Sequence, residues 1–362
     1  MRTKPLSPSE KRCHEACEAA TSSRSDRAAR RIRRVATQSL LWLAASVGIL
    51  MLGGWGAFSA IDPGSAFSLK LVQTLQEHSG EVWDVAFSPD GSILASSGDD
   101  RCVRLWNTET WEEIAVLRLA GRSSFLNSLS FSPDGQLLAC PDGVWDLSTR
   151  VRINRFVDEV MHVAFSPDGQ TLAIGIESEP FRVLDVTSWE TVATFESLSH
   201  TREAADASFG FEYSPGGVLL VDGTVFGGAA RLWDVHSGRL LRRLPISPLG
   251  TDVHDVAFSS DGSLIAAGGH GTQIYIFRTE DGTTMQTIRA GEGTMSLDFS
   301  PDGQLVASVR EKSLELWSVD TGRRLRLIFL EEGARSVTFS PDGAFIASGL
   351  GEGRVHIWTT SD

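Results

Sequence analysis

Cys13, His14 and Cys17 put three metal-ligating side chains within five residues. Thiolates and imidazole suit zinc, but a structural zinc site takes four ligands, commonly as two separated pairs, and that spacing is missing here. No metal is therefore assigned to this stretch. The other two cysteines, Cys102 and Cys140, fall in β-rich segments. They read as small buried thiols, with a disulfide left open. Of the eight histidines, His14 and His200 lie in polar stretches, and His162, His236, His254, His270 and His356 are scattered along the chain. There is no His-Glu-x-x-His, no Gly-x-Ser-x-Gly and no phosphate loop. No catalytic residue, metal or cofactor is assigned, and the chain is expected not to be an enzyme. The alternative is a set of imidazoles gathered at one axis as an enzymatic or small-ligand site.

Those residues must be positioned by something, and the charge pattern divides the chain. Residues 1–35 carry ten Lys/Arg and four Asp/Glu, so the net charge of −13 leaves −19 on everything after them. An acidic body repels phosphate backbones, so nucleic acid is not expected as a partner. Lysine occurs only at 4, 11, 70 and 312, against 29 Arg, which hints at a GC-rich, bacterial-type genome. Residues 36–61 are 26 positions without a charge. At ~1.5 Å per residue a helix of that length reaches roughly 39 Å, enough to cross a hydrocarbon core of about 30 Å. The basic cluster Arg30-Arg31-Ile32-Arg33-Arg34 precedes it, which predicts a single-pass helix with a cytoplasmic, disordered tail and an extracytoplasmic body. A cleaved export signal is the rival reading of the same run. Residues 62–68 read as a linker.

Beyond the linker the chain repeats. Phe87-Ser-Pro-Asp-Gly91 recurs at 131–135, 165–169, 299–303 and 339–343, with variants at 213–217 and 258–262. The third residues are spaced 44, 34, 48, 45, 41 and 40 apart. Pro sets φ for the first corner of the turn, Asp caps it, and Gly takes the left-handed position. Each turn follows a β-rich run such as Val82–Phe87 and precedes short strands ending in an aromatic, as in Val103-Arg-Leu-Trp106. Four strands per unit make a blade, and seven units predict an all-β seven-bladed propeller behind an N-terminal transmembrane helix.

Phe-Ser-Pro-Asp-Gly, Leu-Ala-Ser, Val-Arg-Leu-Trp and the opening Gln76-Glu77-His78 resemble the WD-repeat family, over residues 69–362. The resemblance implies that residues 69–75 complete the seventh blade as a latch. It also implies a buried hydrogen-bond network, whose members in blade 1 are His78, Ser96, Asp100 and Trp106. Later blades depart from it, and blade 2 is clipped between Ala139 and Trp145. The family is specific for fold and poorly specific for function.

In each blade the residue four before the turn aromatic enters the first strand from the top of the ring. These are Trp83, Asn127, Met161, Phe209, His254, Met295 and Arg335, with Phe125 and Asp99 close by. Aromatics, Met and Arg are enriched in interface cores. The expected function is a membrane-anchored scaffold that binds an unidentified protein partner through this top rim.

Overall fold

The computed structural model describes residues 69–120, 128–176, 181–195, 208–224, 227–246, 252–291 and 293–360. They form seven antiparallel sheets of four strands each. In blades 1 to 6 the strands follow chain order. In blade 7 the first strand of the chain, Lys70–Gln76, pairs with the last, Arg354–Thr359, with Lys70 opposite Thr359. The first strand of each blade contacts the first strands of both neighbours, and the series returns from blade 7 to blade 1. The ring is closed without a free inner seam.

Local chemistry makes the turns at the bottom of the ring alike in every blade but the fourth, where Gly216 stands in place of the aspartate. Ser88 Oγ donates to Asp90 Oδ1 at 2.6 Å and accepts from Ile93 N at 2.9 Å, and the same bonds recur in blade 7 through Ser340 and Asp342. These bonds to its ionised form hold Asp90 below the ordinary carboxylate range. Gly91 has φ +73°, which a side chain would strain.

Packing between blades is apolar, but one polar pair recurs within the sheets. Trp106, Trp233, Trp317 and Trp358 each donate Nε1–H to a second-strand acceptor, namely Ser96, Asp222, Ser308 and Ser348 at 2.9, 2.8, 3.0 and 3.2 Å. Blades 3 and 5 place Leu184 and Phe277 where the Trp stands, and Ile174 and Ala267 where the acceptor stands, all of them buried. Donor and acceptor are lost together, so no buried polar group is orphaned there. Blade 2 weakens the rule: Trp145 keeps its N–H, but the buried sulfur of Cys140, a poorer acceptor, stands where the other blades have an oxygen.

The inner wall is stitched across blade boundaries. First-strand N–H groups have no ladder partner on their channel side, and side chains of the preceding blade satisfy them. Asp84 accepts from Leu129 N at 2.7 Å, Glu212 from Phe258 N at 2.7 Å, Asp255 from Leu297 N at 2.9 Å and Asp298 from Phe339 N at 2.8 Å. Ser128, Ser296 and Ser336 accept in the same way from Val163 N, Val337 N and Val85 N. At the boundary from blade 3 to blade 4, the place is taken by His162, which packs edge-on to Phe211 with ring centroids 6.1 Å apart.

Two expectations are corrected, on fold class and on membrane anchorage, and one left open is closed. The fold class is a seven-bladed propeller, and no helix among the described residues is long and apolar enough to cross a membrane. The expected tail 1–35, transmembrane helix 36–61 and linker 62–68 lie outside the described residues, so single-pass anchorage, its topology and membrane partnership are not carried further. Cys102 and Cys140 are both buried free thiols, so no disulfide joins them. Cys13, His14 and Cys17 also lie outside the described residues.

Candidate functional site

A β-bulge sets the top rim. In blades 1, 3, 5, 6 and 7 the ladder between first and second strands skips one residue. The skipped residues are Trp83, Met161, His254, Met295 and Arg335. A bulged residue leaves the ladder and re-aims its side chain, and all five are half-buried at the mouth of the ring. Blade 4 differs from these five. Phe209 pairs in the ladder opposite Gly223, and the extra residue is Gly210, whose φ of +60° suits glycine. Asn127 and Phe125 lie outside the described residues.

The structure brings three of the expected rim residues together at the seam of blades 7 and 1. Trp83 Nε1 donates to Asp99 Oδ1 at 2.6 Å, and the Arg335 guanidinium lies 5.2 Å from the Trp83 ring centroid. Arg335 also reaches both Glu81 oxygens at 3.1 Å. The Trp ring is thus clamped between a carboxylate and a guanidinium. Among the described residues, nothing comparable joins Met161 or Met295 to the other rim residues.

His254 meets two residues that were not selected from the sequence. Asp252, in the entry to blade 5, and His270, in its second hairpin, each present a donor atom so that all three lie within 4.8 Å of one another. The His254 and His270 rings are 4.2 Å apart at 71°. His270 Nδ1 is 3.1 Å from Asp252 Oδ2. His254 Nδ1 is 3.2 Å from the carbonyl of Thr294 in blade 6. A carbonyl only accepts, so Nδ1 carries the proton and the lone pair of His254 is on Nε2. This outer contact is the kind that orients a ligating imidazole. Burial, with His270 beside it, pushes His254 down to about 4, which keeps the ring neutral near pH 7.

The backbone fixes this cluster. His270 N donates to Asp252 O at 3.1 Å. A Cβ on Gly269 would stand 2.0 Å from that same carbonyl oxygen, so only glycine lets the hairpin approach. Two imidazoles and one carboxylate form a donor set for a first-row transition dication, with at least one coordination position left for an outside ligand.

A second constellation resembles hydrolytic machinery and is not. His78 lies between Asp100 Oδ1 at 2.9 Å and Ser96 Oγ at 2.8 Å. Ser96 is fully buried, and its oxygen also accepts from Trp106. Burial lowers the His78 pKa despite Asp100 beside it. These four side chains tie blade 1 together and offer no nucleophile to solvent.

Comparison with known proteins completes the picture. The profile described as "WD domain, G-beta repeat" matches residues 69–107, 112–153, 239–278, 282–318 and 330–359, just over half of the chain. Pre-mRNA-processing factor 19 homolog 2 of Arabidopsis thaliana is 29% identical over 57% of this chain and 39% of its own length. WD repeat and SOCS box-containing protein 1 of Homo sapiens is 30% identical over 66% of this chain and 50% of its own. Transcription initiation factor TFIID subunit 5 of Caenorhabditis elegans is 28% identical over 58% and 32%. The matched region thus spans between a third and a half of these relatives. They are plant and animal proteins, so the expected bacterial-type assignment has no support, and neither does a membrane anchor.

Proposed function

Because this chain belongs to the WD-repeat family of β-propellers, we propose that it is a propeller scaffold with its own small-ligand site. That site is a divalent-metal site at the channel mouth of blade 5. The convergence of Asp252, His254 and His270 carries this reading. It replaces the membrane-anchored platform expected from the sequence and takes up the alternative of a ligand site at the axis. The role is one of binding, not catalysis. The protein supplies three donors, and the remaining position is open to a ligand brought from outside. Zinc is the ion best matched by two imidazoles and one carboxylate, because it is satisfied by four ligands and tolerates a mixed nitrogen and oxygen set.

Isothermal titration of the metal-free protein with zinc chloride, at pH 7.5, tests this. One zinc per chain is expected, and His254→Ala or His270→Ala should weaken it by more than about tenfold. Trp83→Ala, two seams away, should leave it unchanged. Absence of saturable binding, or equal binding in all three variants, defeats the reading.

A further inference from the structure

The outer wall of the ring repeats an irregularity of its own. In every blade the ladder between the third and fourth strands skips one residue of the fourth, and that residue is aliphatic or Met each time. Val72, Ile114, Ile153, Val192 and Leu241 are exposed by 39% to 58%. Met285 and Leu325 are half-buried. A bulge breaks the regular spacing of edge N–H and C=O groups, so this wall is a poor template for an added strand. It offers side chains instead, one apolar projection per blade.

Charge singles out one sector of that wall. The fourth-strand stretches 239–245, 283–289 and 323–329 of blades 4, 5 and 6 hold seven Arg and no Asp or Glu, on a chain of net charge −13. In blade 1, by contrast, Glu113 directly precedes the bulge. Arg239, Arg243 and Arg289 are exposed and make no ion pair among the described residues. Glu280, Asp281 and Asp320 stand in the turns at the lower border of the sector. Those turns join the blades into one surface. Arg242, just after the bulge of blade 4, donates from Nη2 to Glu280 O at 2.6 Å, and Gln286, its counterpart in blade 5, from Nε2 to Asp320 O at 3.5 Å. Phe329, at the end of the sector, is 80% exposed.

We propose that the outer wall of blades 4 to 6 is a docking surface for an acidic amphipathic helix of a partner protein. The bulges exclude an added strand, and a helix presents its side chains without needing edge hydrogen bonds. Its apolar face meets Leu241 and Met285, and its carboxylates meet Arg239, Arg243 and Arg289. Arginine alone would take any anion, whereas the apolar residues set among the arginines demand an amphipathic one. The surface lies on the outer strands, apart from the metal donors at the channel mouth.

Fluorescence anisotropy with EDTA present tests this, using a labelled peptide built of Glu-Leu-Gln-Glu-Leu-Leu-Gln heptads. Its controls are the same peptide with Lys for Glu and a polyglutamate of equal length. The acidic amphipathic peptide should bind saturably and more weakly as salt is raised. Arg243→Glu with Arg289→Glu should lower its affinity more than about tenfold, and Leu241→Ser at least about threefold. Ile114→Ser, at the equivalent place in blade 1, should change nothing. Denaturant midpoints will show that each variant is folded, since all four side chains are exposed. Infrared spectra of a carbonyl-labelled peptide should read helix in the bound state. A bound strand, no saturable binding, equal affinity for polyglutamate or the Lys peptide, or no loss in the arginine variant overturns the proposal. None of these outcomes depends on whether blade 5 binds zinc.

Discussion

His254 stands in blade 5 where Trp83 stands in blade 1. Each is the bulged residue of its first strand, and each meets the residue sixteen positions later, His270 and Asp99 respectively. The correspondence extends to the backbone. Asp99 N donates to Glu81 O at 3.0 Å, and His270 N to Asp252 O at 3.1 Å. One frame therefore carries two outcomes: Glu81, Trp83 and Asp99 clamp an aromatic ring, and Asp252, His254 and His270 gather metal donors.

That equivalence makes the site transplantable. Trp83→His with Asp99→His rebuilds the donor set beside Glu81, and Arg335→Ala removes the guanidinium that pairs with it. The triple variant should bind two zinc ions per chain instead of one, read by metal analysis after gel filtration. An unchanged stoichiometry would mean that the frame alone does not make the site.

Gly269→Ala should abolish metal binding and destabilise blade 5. Its Cβ overlaps the Asp252 carbonyl, so the hairpin must withdraw and His270 moves with it. The cost is about 1–3 kcal/mol, as for other overpacked interiors. Denaturant midpoints and zinc titration on the same variant check both halves.

Cys140→Ser should stabilise the protein by about 0.5–1.5 kcal/mol, because it offers Trp145 an oxygen acceptor, as in blades 1, 4, 6 and 7, in place of a weak sulfur one. Cys140→Ala is the control and should not stabilise. Equal midpoints for the two variants would show that the weak sulfur acceptor is not what limits blade 2.

His162 carries a pH dependence of its own. Burial pushes it down to about 4, below its unfolded value, so its stabilising contribution is present at neutral pH and is lost as pH falls from about 6.5 towards 4. His162→Phe removes the buried nitrogen that has no partner. Relative to wild type, it should be up to about 2 kcal/mol more favourable at pH 5 than at pH 8. Paired unfolding curves at the two values decide it, since the contributions of groups shared by both proteins cancel in the comparison.

The ring, its turns and the blade 1 network are legible in the sequence because each is local and repeated. Pro89 and Gly91 announce a turn by their own dihedral preferences, and His78, Ser96, Asp100 and Trp106 lie within one unit. The candidate metal site was hidden for a different reason. Its histidines read as scattered until aligned by blade, and only then do His254 and His270 fall into the register of Trp83 and Asp99. Phe209 pairs in the ladder, because in blade 4 Gly210 accepts the bulge that a side-chain-bearing residue takes in blades 1, 3, 5, 6 and 7. The inner-wall bonds could not be read at all, since Glu212 and Phe258 belong to different repeats and meet only when the ring closes.

The pairing of Lys70 with Thr359 also fixes how the molecule answers force. The two strands run antiparallel, and the ends of the described chain emerge side by side from the same end of the seam. Tension applied between them therefore loads the hydrogen bonds one pair at a time, as a zipper does, and not all together in shear. Blade 7 should part first and at low force, while pulls applied across any other blade meet a covalently continuous sheet.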